Sequence, residues 1–397
     1  MRILAIETSC DETAISIIEA YGGLKNPRFR VLGNKIASQA AFHAQYGGVF
    51  PMMAKREHSK NIVPLFLSVL KEAKVLKINP KATFTTVQEN KIKKMLEREP
   101  EMLDLFLEKI SRLAKPRFDV IAVTVGPGLE PALWVGINFA KTLATIWKIP
   151  VIPVNHMEGH FLSVLMQKNG KNLPAGKQVQ FPALSLLVSG GHTELVLATD
   201  WLKYKKIGQT RDDAAGEAFD KVARMLELPY PGGPEISKLA AQFPKDHPQT
   251  IKLPRPMIQS GDFDFSFSGL KTAVLYLLRD MTKINPAVLQ NSDTKREIAF
   301  EFQNAVVEVL VTKTMRALQK YKAKTLIVGG GVSANKELQK GLRMATQKEK
   351  IILHFPIKDL STDNSLMIGI AGYFQFLKNK KRGKPLTSLK AIGNLSL

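Results

Sequence analysis

Two histidines set four residues apart, His156 and His160 in "NHMEGH", are the side chains whose types and spacing point first to chemistry. Four residues is little more than one helical turn, so both imidazoles leave the same side of a helix and can close on one cation. A pair that only caps and packs gives the same pattern, and a third, oxygen ligand decides between the two. The metallopeptidase form of the motif needs glutamate directly after the first histidine. Met157 stands there, and Glu158 lies a further ~100° around the helix, which argues against peptidase chemistry.

Two glycine-rich turns form a second candidate set. Ser189, Gly190 and Gly191 follow an apolar run, and Gly329, Gly330 and Gly331 precede a helix that opens near Ala334 and Asn335. Such turns let backbone N–H groups approach a phosphate. Neither has the Gly-Lys-Ser/Thr of a P-loop or the G-x-G-x-x-G of a dinucleotide turn. Between them, "RDDAAGEAFDKVARML" carries Asp212, Asp213, Glu217 and Asp220 ahead of "PYPGGP". Helical steps put Asp213, Glu217 and Asp220 on one face, either solvated or available to ribose hydroxyls or an ammonium group. The phenylalanines of "FDFSFSGLKTAV" read as core.

Two strand-turn-strand openings position these residues. In "RILAIETSCDETAISIIEA" an apolar run over 3–6 and another over 14–18 flank a polar turn at 8–13. "FPALSLLVSGGHTELVLAT" repeats the arrangement, with strands over 184–188 and 194–198. A duplicated α/β fold follows, with facing turns lining a cleft between lobes. The 397 residues allow two such lobes, since single cores stop growing near ~250–300 residues. A helix is expected from about Met53, and a strand over 120–125 precedes a Gly-Pro-Gly loop and a long helix.

Lys and Arg outnumber Asp and Glu by 57 to 35, a net charge of +22 that draws a polyanion such as nucleic acid. One cysteine, Cys10, excludes an internal disulfide, fits a reducing cytoplasm and reads as a small packing residue. No uninterrupted apolar run is long enough to span a bilayer, and the start turns polar too soon for a signal peptide. Residues 71–118 carry twelve Lys/Arg against seven Asp/Glu, with helical periodicity at Leu103, Phe106, Leu107 and Ile110. They read as one or two surface helices, either decoration or an RNA or partner contact. Deleting about 35 of them is expected to spare the fold and weaken nucleic-acid or partner affinity. The last 20 residues hold six Lys/Arg and no acid, and read as a flexible basic extension.

Taken in order, "IETSCDETA", "HAQYGGVFP", "VGPGL", "NHMEGH", "LLVSGGHTEL", "DDAAGEAFDKVARML", "YPGGP", "FSFSGLKTA", "GGGVSAN" and "STDN" resemble the tRNA N6-adenosine threonylcarbamoyltransferase family from Met1 to about Gly372, apart from 71–118. The resemblance implies two RNase-H-like lobes of the actin, hexokinase and heat-shock-chaperone type around a nucleotide cleft. It places the first lobe at 1–152, the second at 153–362, a helix at about 363–378 packed back on the first, and a tail at 379–397. It implies transfer of threonylcarbamoyl from threonylcarbamoyl-adenylate to N6 of adenosine 37, in the anticodon loop of tRNAs reading codons that begin with A. One divalent metal, Fe(2+) ahead of Zn(2+), is implied on His156, His160 and Asp363. Leu187, Val188, Ser189, Gly190, Gly191, Asp220, Gly233 and Asn335 are implied against the adenylate. Asp11 and Glu12 are candidates to accept the N6 proton or order a water. The implied partners are a paralogous non-catalytic subunit and a small ATPase, in the cytoplasm and without a membrane. Two departures stand out: Met52 replaces the family's usual glutamate, and Ser361 a frequent cysteine. A small-molecule kinase of the same superfamily fits the glycine turns, but phosphoryl transfer does not call for two histidines on a metal. A non-catalytic RNA scaffold fits the charge, but not the acidic, glycine-rich cleft.

Overall fold

The computed structural model describes residues 1–79, 83–166, 178–244, 247–379 and 383–397. The chain begins with β1 (Arg2–Glu7), β2 (Glu12–Tyr21) and β3 (Arg28–Ser38), then α1 (Ala40–Ala44), α2 (Pro51–Glu72), α3 (Thr86–Met95) and α4 (Pro100–Leu105). It continues through β4 (Val120–Gly126), α5 (Glu130–Trp147), β5 (Val151–Asn155) and α6 (His156–Leu162). The second half runs β6 (Ala183–Val188), β7 (Thr193–Asp200), β8 (Lys203–Gln209), α7 (Ala215–Met225), α8 (Gly232–Ala240), α9 (Ser268–Ile284), α10 (Ser292–Lys320), β9 (Thr325–Gly329), α11 (Lys336–Lys348) and β10 (Ile352–His354). The last long helix is α12 (Ser365–Lys378).

The first sheet has the order β3-β2-β1-β4-β5 and the second β8-β7-β6-β9-β10. In each, the first three strands are antiparallel and the last two run parallel to the central one. The two halves therefore share one strand order and one set of directions, which bears out the duplicated α/β fold read from the strand-turn-strand openings and the RNase-H-like lobes implied by the family resemblance. Side chains 3–6 of β1 and all of β4 are buried, because helices cover both faces of the first sheet. On one face α12 lies close: a Cβ on Gly372 would come 2.5 Å from Ala122 Cβ, and one on Gly369 2.7 Å from Ile18 Cδ1. Only glycine permits that approach.

Unit 1 comprises Met1–Pro174 with Thr362–Leu397, and unit 2 comprises Ala175–Ser361. The boundary expected at 152 is thus displaced. β5 hydrogen-bonds β4 in parallel, and α6 follows it without a break, so the histidine helix belongs to unit 1. Helix α12 belongs to unit 1.

The tail also differs from expectation. Lys384 N–H donates to Val151 O (3.0 Å), Ile392 N–H to Val125 O (2.8 Å) and Gly128 N–H to Gly393 O (3.0 Å), while Leu389 is buried in the core. Leu386, Leu389 and Leu395 recur at steps of three and six and supply the apolar contact that holds the strap. Of the basic cluster, residues 380–382 lie outside the described set.

Residues 71–118 are neither a loose decoration nor wholly surface. Ile92, Leu96, Met102, Phe106 and Ile110 are buried against α2 and α5. The Phe106 ring meets Phe139 edge-on at 6.0 Å, and Phe139 meets Phe66 at 5.5 Å. Glu99, also buried, accepts from Asn138 Nδ2 at 3.1 Å and pairs with Lys55. Apart from Glu99, the charged residues described in this segment lie on its outer face, which is why the charge count suggested a surface segment. Deleting the segment would expose Phe66 and Phe139. We predict that Phe106→Ala costs about 3–5 kcal/mol of stability in urea denaturation of the full chain. A loss below ~1 kcal/mol would mean that the segment merely rests on the unit.

Candidate functional site

Helix α6 is short and firmly capped. The Asn155 side-chain oxygen accepts from Met157 N (2.8 Å) and Glu158 N (3.3 Å), satisfying two free donors of the first turn. His156 and His160 then face the same way, their rings 4.7 Å apart and nearly perpendicular. Between them, Gly159 lets α12 approach: a Cβ there would lie 3.0 Å from Met367 Cγ. The same packing brings in the residue just before α12, whose N-cap Asn364 accepts from Met367 N at 2.9 Å. Asp363 Oδ1 thus lies 3.1 Å from His160 Nε2 and 3.3 Å from His156 Nε2. Ligand atoms of His156, His160 and Asp363 all fall within 4.8 Å of one another.

Behind this trio stands a residue that the motifs did not single out. Glu7, at the end of β1 and 0% exposed, holds His156 Nδ1 at 3.0 Å through Oε2, which also accepts from Thr124 Oγ1 at 2.6 Å. Its other oxygen accepts from Ser9 N. A carboxylate on Nδ1 fixes that nitrogen as a donor and leaves Nε2, which faces Asp363, to carry a proton or to give its lone pair to a cation. Burial favours the neutral imidazole of His156, but Asp363 and Glu7 outweigh it and hold its pKa well above the usual value. Working against burial in turn, His156 keeps Asp363 well below the carboxylate range and Glu7 below it too. Burial lowers the pKa of His160, and its ring stays neutral. Without a cation the proton on His156 balances Asp363; with one, both Nε2 atoms and an Asp363 oxygen are placed to give it lone pairs. Two imidazole nitrogens and a carboxylate fit a divalent cation with positions left open for a substrate.

The peptidase role for Glu158 is ruled out by its partner. Its Oε2 accepts from Gln375 Nε2 at 2.7 Å, on α12, so the side chain is engaged away from the trio.

The first turn is anchored from below by a buried polar network. His58, inside α2, donates from Nε2 to Cys10 O (3.0 Å), and its Nδ1 faces Thr13 Oγ1 at 2.7 Å. Gln39 Nε2 lies 3.3 Å from the same Nδ1, Gln39 Oε1 accepts from His43 Nε2 at 3.1 Å, and Gln39 N donates to Asp11 O at 2.9 Å. Burial pushes His58 down to about 4, so the ring is neutral and its tautomer fixed. Burial, with the nearby acids, pushes the Cys10 thiol well up, in keeping with a packing role. Glu12 is raised to about 10 by burial and then by the Asp11 and Asp363 carboxylates. It therefore carries a proton at neutral pH and is a hydrogen-bond donor rather than a base. A cation on Asp363 cancels only the third of those causes.

In unit 2 the glycine turns gather at the ends of β6 and β9. Leu187 and Val188 close β6, both buried, and the turn is pinned by Ser189 N–H to His192 O (2.8 Å) and His192 N–H to Ser189 Oγ (3.1 Å). Space stays open where side chains of Gly190, Gly191 and Gly331 would stand. Gly330 has φ +85°, and a Cβ there would meet Val188 O at 2.4 Å. Asp220 Oδ1 accepts from Gly232 N (2.7 Å), fixing the turn that presents Gly233. Asn335 caps α11 through Leu338 N (2.9 Å) and gives its amide to Ser237 Oγ (3.0 Å) and Gln303 Oε1 (2.9 Å). Its side chain is engaged within unit 2 by these three contacts, and α11 opens one residue after it. The expected three-acid face is formed only in part: Asp213, which precedes α7, and Glu217 both pair with Lys221, and Asp213 also with Lys271, whereas Asp220 turns to Gly232 N. Phe263, Phe265 and Phe267 are core, as expected.

A sequence model of the family described as TsaD, tRNA N6-adenosine threonylcarbamoyltransferase, matches residues 30–86 and 90–370. The chain belongs to the tRNA N6-adenosine threonylcarbamoyltransferase family. It is 41% identical over 396 residues to the tRNA N6-adenosine threonylcarbamoyltransferase of Moorella thermoacetica, covering 100% of this chain and 97% of the relative. With that of Burkholderia lata it shares 40% over 375 residues, 94% of this chain and 91% of the relative. Among solved structures, HypF of T. kodakarensis aligns over 70% of this chain and 43% of its own, at 14% identity and a TM-score of 0.47. The family match runs through most of 71–118, so the buried helices there are part of the family's pattern. Among the described residues no helix is long and apolar enough to cross a membrane. If Glu7 sets the His156 tautomer, Glu7→Gln should weaken Zn(2+) affinity about 10–100-fold in a chelator competition, with the fold intact. Unchanged affinity would reduce Glu7 to a packing role.

Proposed function

We propose that the chain transfers the threonylcarbamoyl group of threonylcarbamoyl-adenylate to N6 of adenosine 37 in tRNAs reading codons that begin with A, and that His156, His160 and Asp363 hold the divalent cation this needs. The observation that supports the reading is the convergence of buried His156 and His160 with half-buried Asp363, Glu7 holding Nδ1 of His156 from behind. Fe(2+) suits the two-histidine, one-carboxylate set best, with Zn(2+) as the alternative. When bound, the cation supplies a Lewis-acid contact that orients the donor's oxygens and offsets charge on the departing phosphate.

The chain's own residues account for the rest. The adenine amine is a weak nucleophile because its lone pair is delocalised into the ring, so the donor must be a mixed anhydride. The new bond joins N6 to the carbamoyl carbon, the bond from that carbon to the phosphate oxygen breaks, and AMP leaves. The N6 proton goes to Asp11, whose neighbour Glu12 is already protonated and can donate a hydrogen bond to substrate. The His58 anchor on Cys10 O holds this turn in place. In unit 2, N–H groups of Ser189, Gly190 and Gly191 would serve the adenylate phosphate, with Leu187, Val188, Asp220, Gly233 and Asn335 shaping the nucleotide's seat. A separate enzyme must make the donor by activating a threonine-derived carbamate with ATP. A paralogous non-catalytic subunit and a small ATPase in the cytoplasm complete the proposal.

The test is transfer of labelled threonine to unmodified tRNA from pre-made donor. His156→Ala should lose at least ~100-fold. Asp11→Asn should slow transfer by about 10²–10⁴ with donor affinity kept. Glu12→Gln, one neutral donor for another, should stay within about threefold. No label on tRNA with wild-type protein, metal and partners supplied, would overturn the reading.

A further inference from the structure

Helix α1 is bound to the first turn through His43, and a run of aromatic rings starts on it at Phe42 and continues through the segment that follows. Its His43 is buried in the network that reaches Asp11 and Cys10 through Gln39 and His58. Phe42, the next residue back, starts a ladder of rings: Phe42 to Tyr46 at 5.6 Å between centroids, and Tyr46 to Phe50 at 5.7 Å. Tyr46 is 46% exposed, Phe50 49% and Met52 61%. Neighbouring apolar side chains this open are unusual on a soluble surface and mark contact sites. One turn beyond Met52 on α2, Arg56 is exposed and has no ion-pair partner among the described residues.

The chemistry of the patch selects among partners. Flat rings beside an unpaired guanidinium suit unpaired nucleobases, which stack on aromatic faces while their phosphates meet the cation. A net charge of +22 opposes association with a second copy of this chain and favours a polyanion. Three residues separate Phe42 from Gln39, whose N–H contacts Asp11 O, and three residues of chain span at most ~11 Å. The ladder therefore begins within a nucleotide or two of the turn where the adenine amine is to react.

We propose that Phe42, Tyr46, Phe50 and Met52 form a stacking platform for the unpaired anticodon-loop bases flanking adenosine 37, with Arg56 on a phosphate. This rests on the tRNA-transfer reading and adds a subsite to it. The experiment uses the metal-loaded full chain and an anticodon stem-loop with 2-aminopurine beside position 37. Wild type should change the probe's fluorescence on binding. Tyr46→Ala with Phe50→Ala should abolish that change and raise the RNA Kd about tenfold or more, while donor affinity and kcat at saturating RNA hold. The aromatic exchange Tyr46→Phe with Phe50→Tyr should retain binding, and Tyr46→Leu with Phe50→Leu should not. Arg56→Gln should lower the salt slope by about one. The platform is overturned if the alanine pair binds RNA within twofold of wild type, or if the leucine pair binds as well as the aromatic one. A change in sedimentation mass with RNA affinity intact also overturns it, by making the patch a protein interface. Stacking by a wild type that transfers nothing would instead fault the reaction and leave the platform standing.

Discussion

A carboxylate with no solvent exposure must be compensated within the fold, and Glu7 is such a group. Its compensation is specific: Ser9 N and Thr124 Oγ1 donate to it, and His156 faces it. Leaving such a charge unpaired costs several kcal/mol, roughly 3–5. The end of β1, the middle of β4 and the start of α6 are therefore tied to one another. Asp363 enters from the far end of the chain because α12 packs on glycines against the sheet and against α6. The site is thus a consequence of how unit 1 closes its core.

The two units use one topology for different tasks. In unit 1 the turn after the first strand is acidic, backed by His58 and His43, and faces the histidine trio's field. In unit 2 the corresponding turn is Ser-Gly-Gly, with open space where side chains would stand. One arrangement suits proton transfer and charge, the other a phosphate. Duplicated strands with diverged turns let one fold carry both.

Much of this was legible in the residues. The two strand-turn-strand openings are apolar runs interrupted by polar turns, and their strands begin and end within three residues of where those runs put them. The spacing of His156 and His160 announced a shared helix face. Asp363 was not legible from spacing, since 203 residues separate it from His160, and it came only from family resemblance. Glu7 was missed because an acid ending a strand reads as the start of a turn; its signal was an ionisable residue closing an otherwise apolar run. Residues 71–118 misled because net charge describes the outer face, whereas the periodicity of Phe106 and Ile110 described the buried one. The tail misled in the same way, its lysines hiding the recurrence of Leu386, Leu389 and Leu395.

The central claim is that a cation sits on His156, His160 and Asp363 with Glu7 behind it. Anomalous diffraction from crystals grown with Fe(2+) or Zn(2+) tests it most directly. The account predicts one strong peak within about 2.0–2.2 Å of His156 Nε2, His160 Nε2 and an Asp363 oxygen. A peak at His43 or His58 instead, or none at stoichiometric metal, would contradict it.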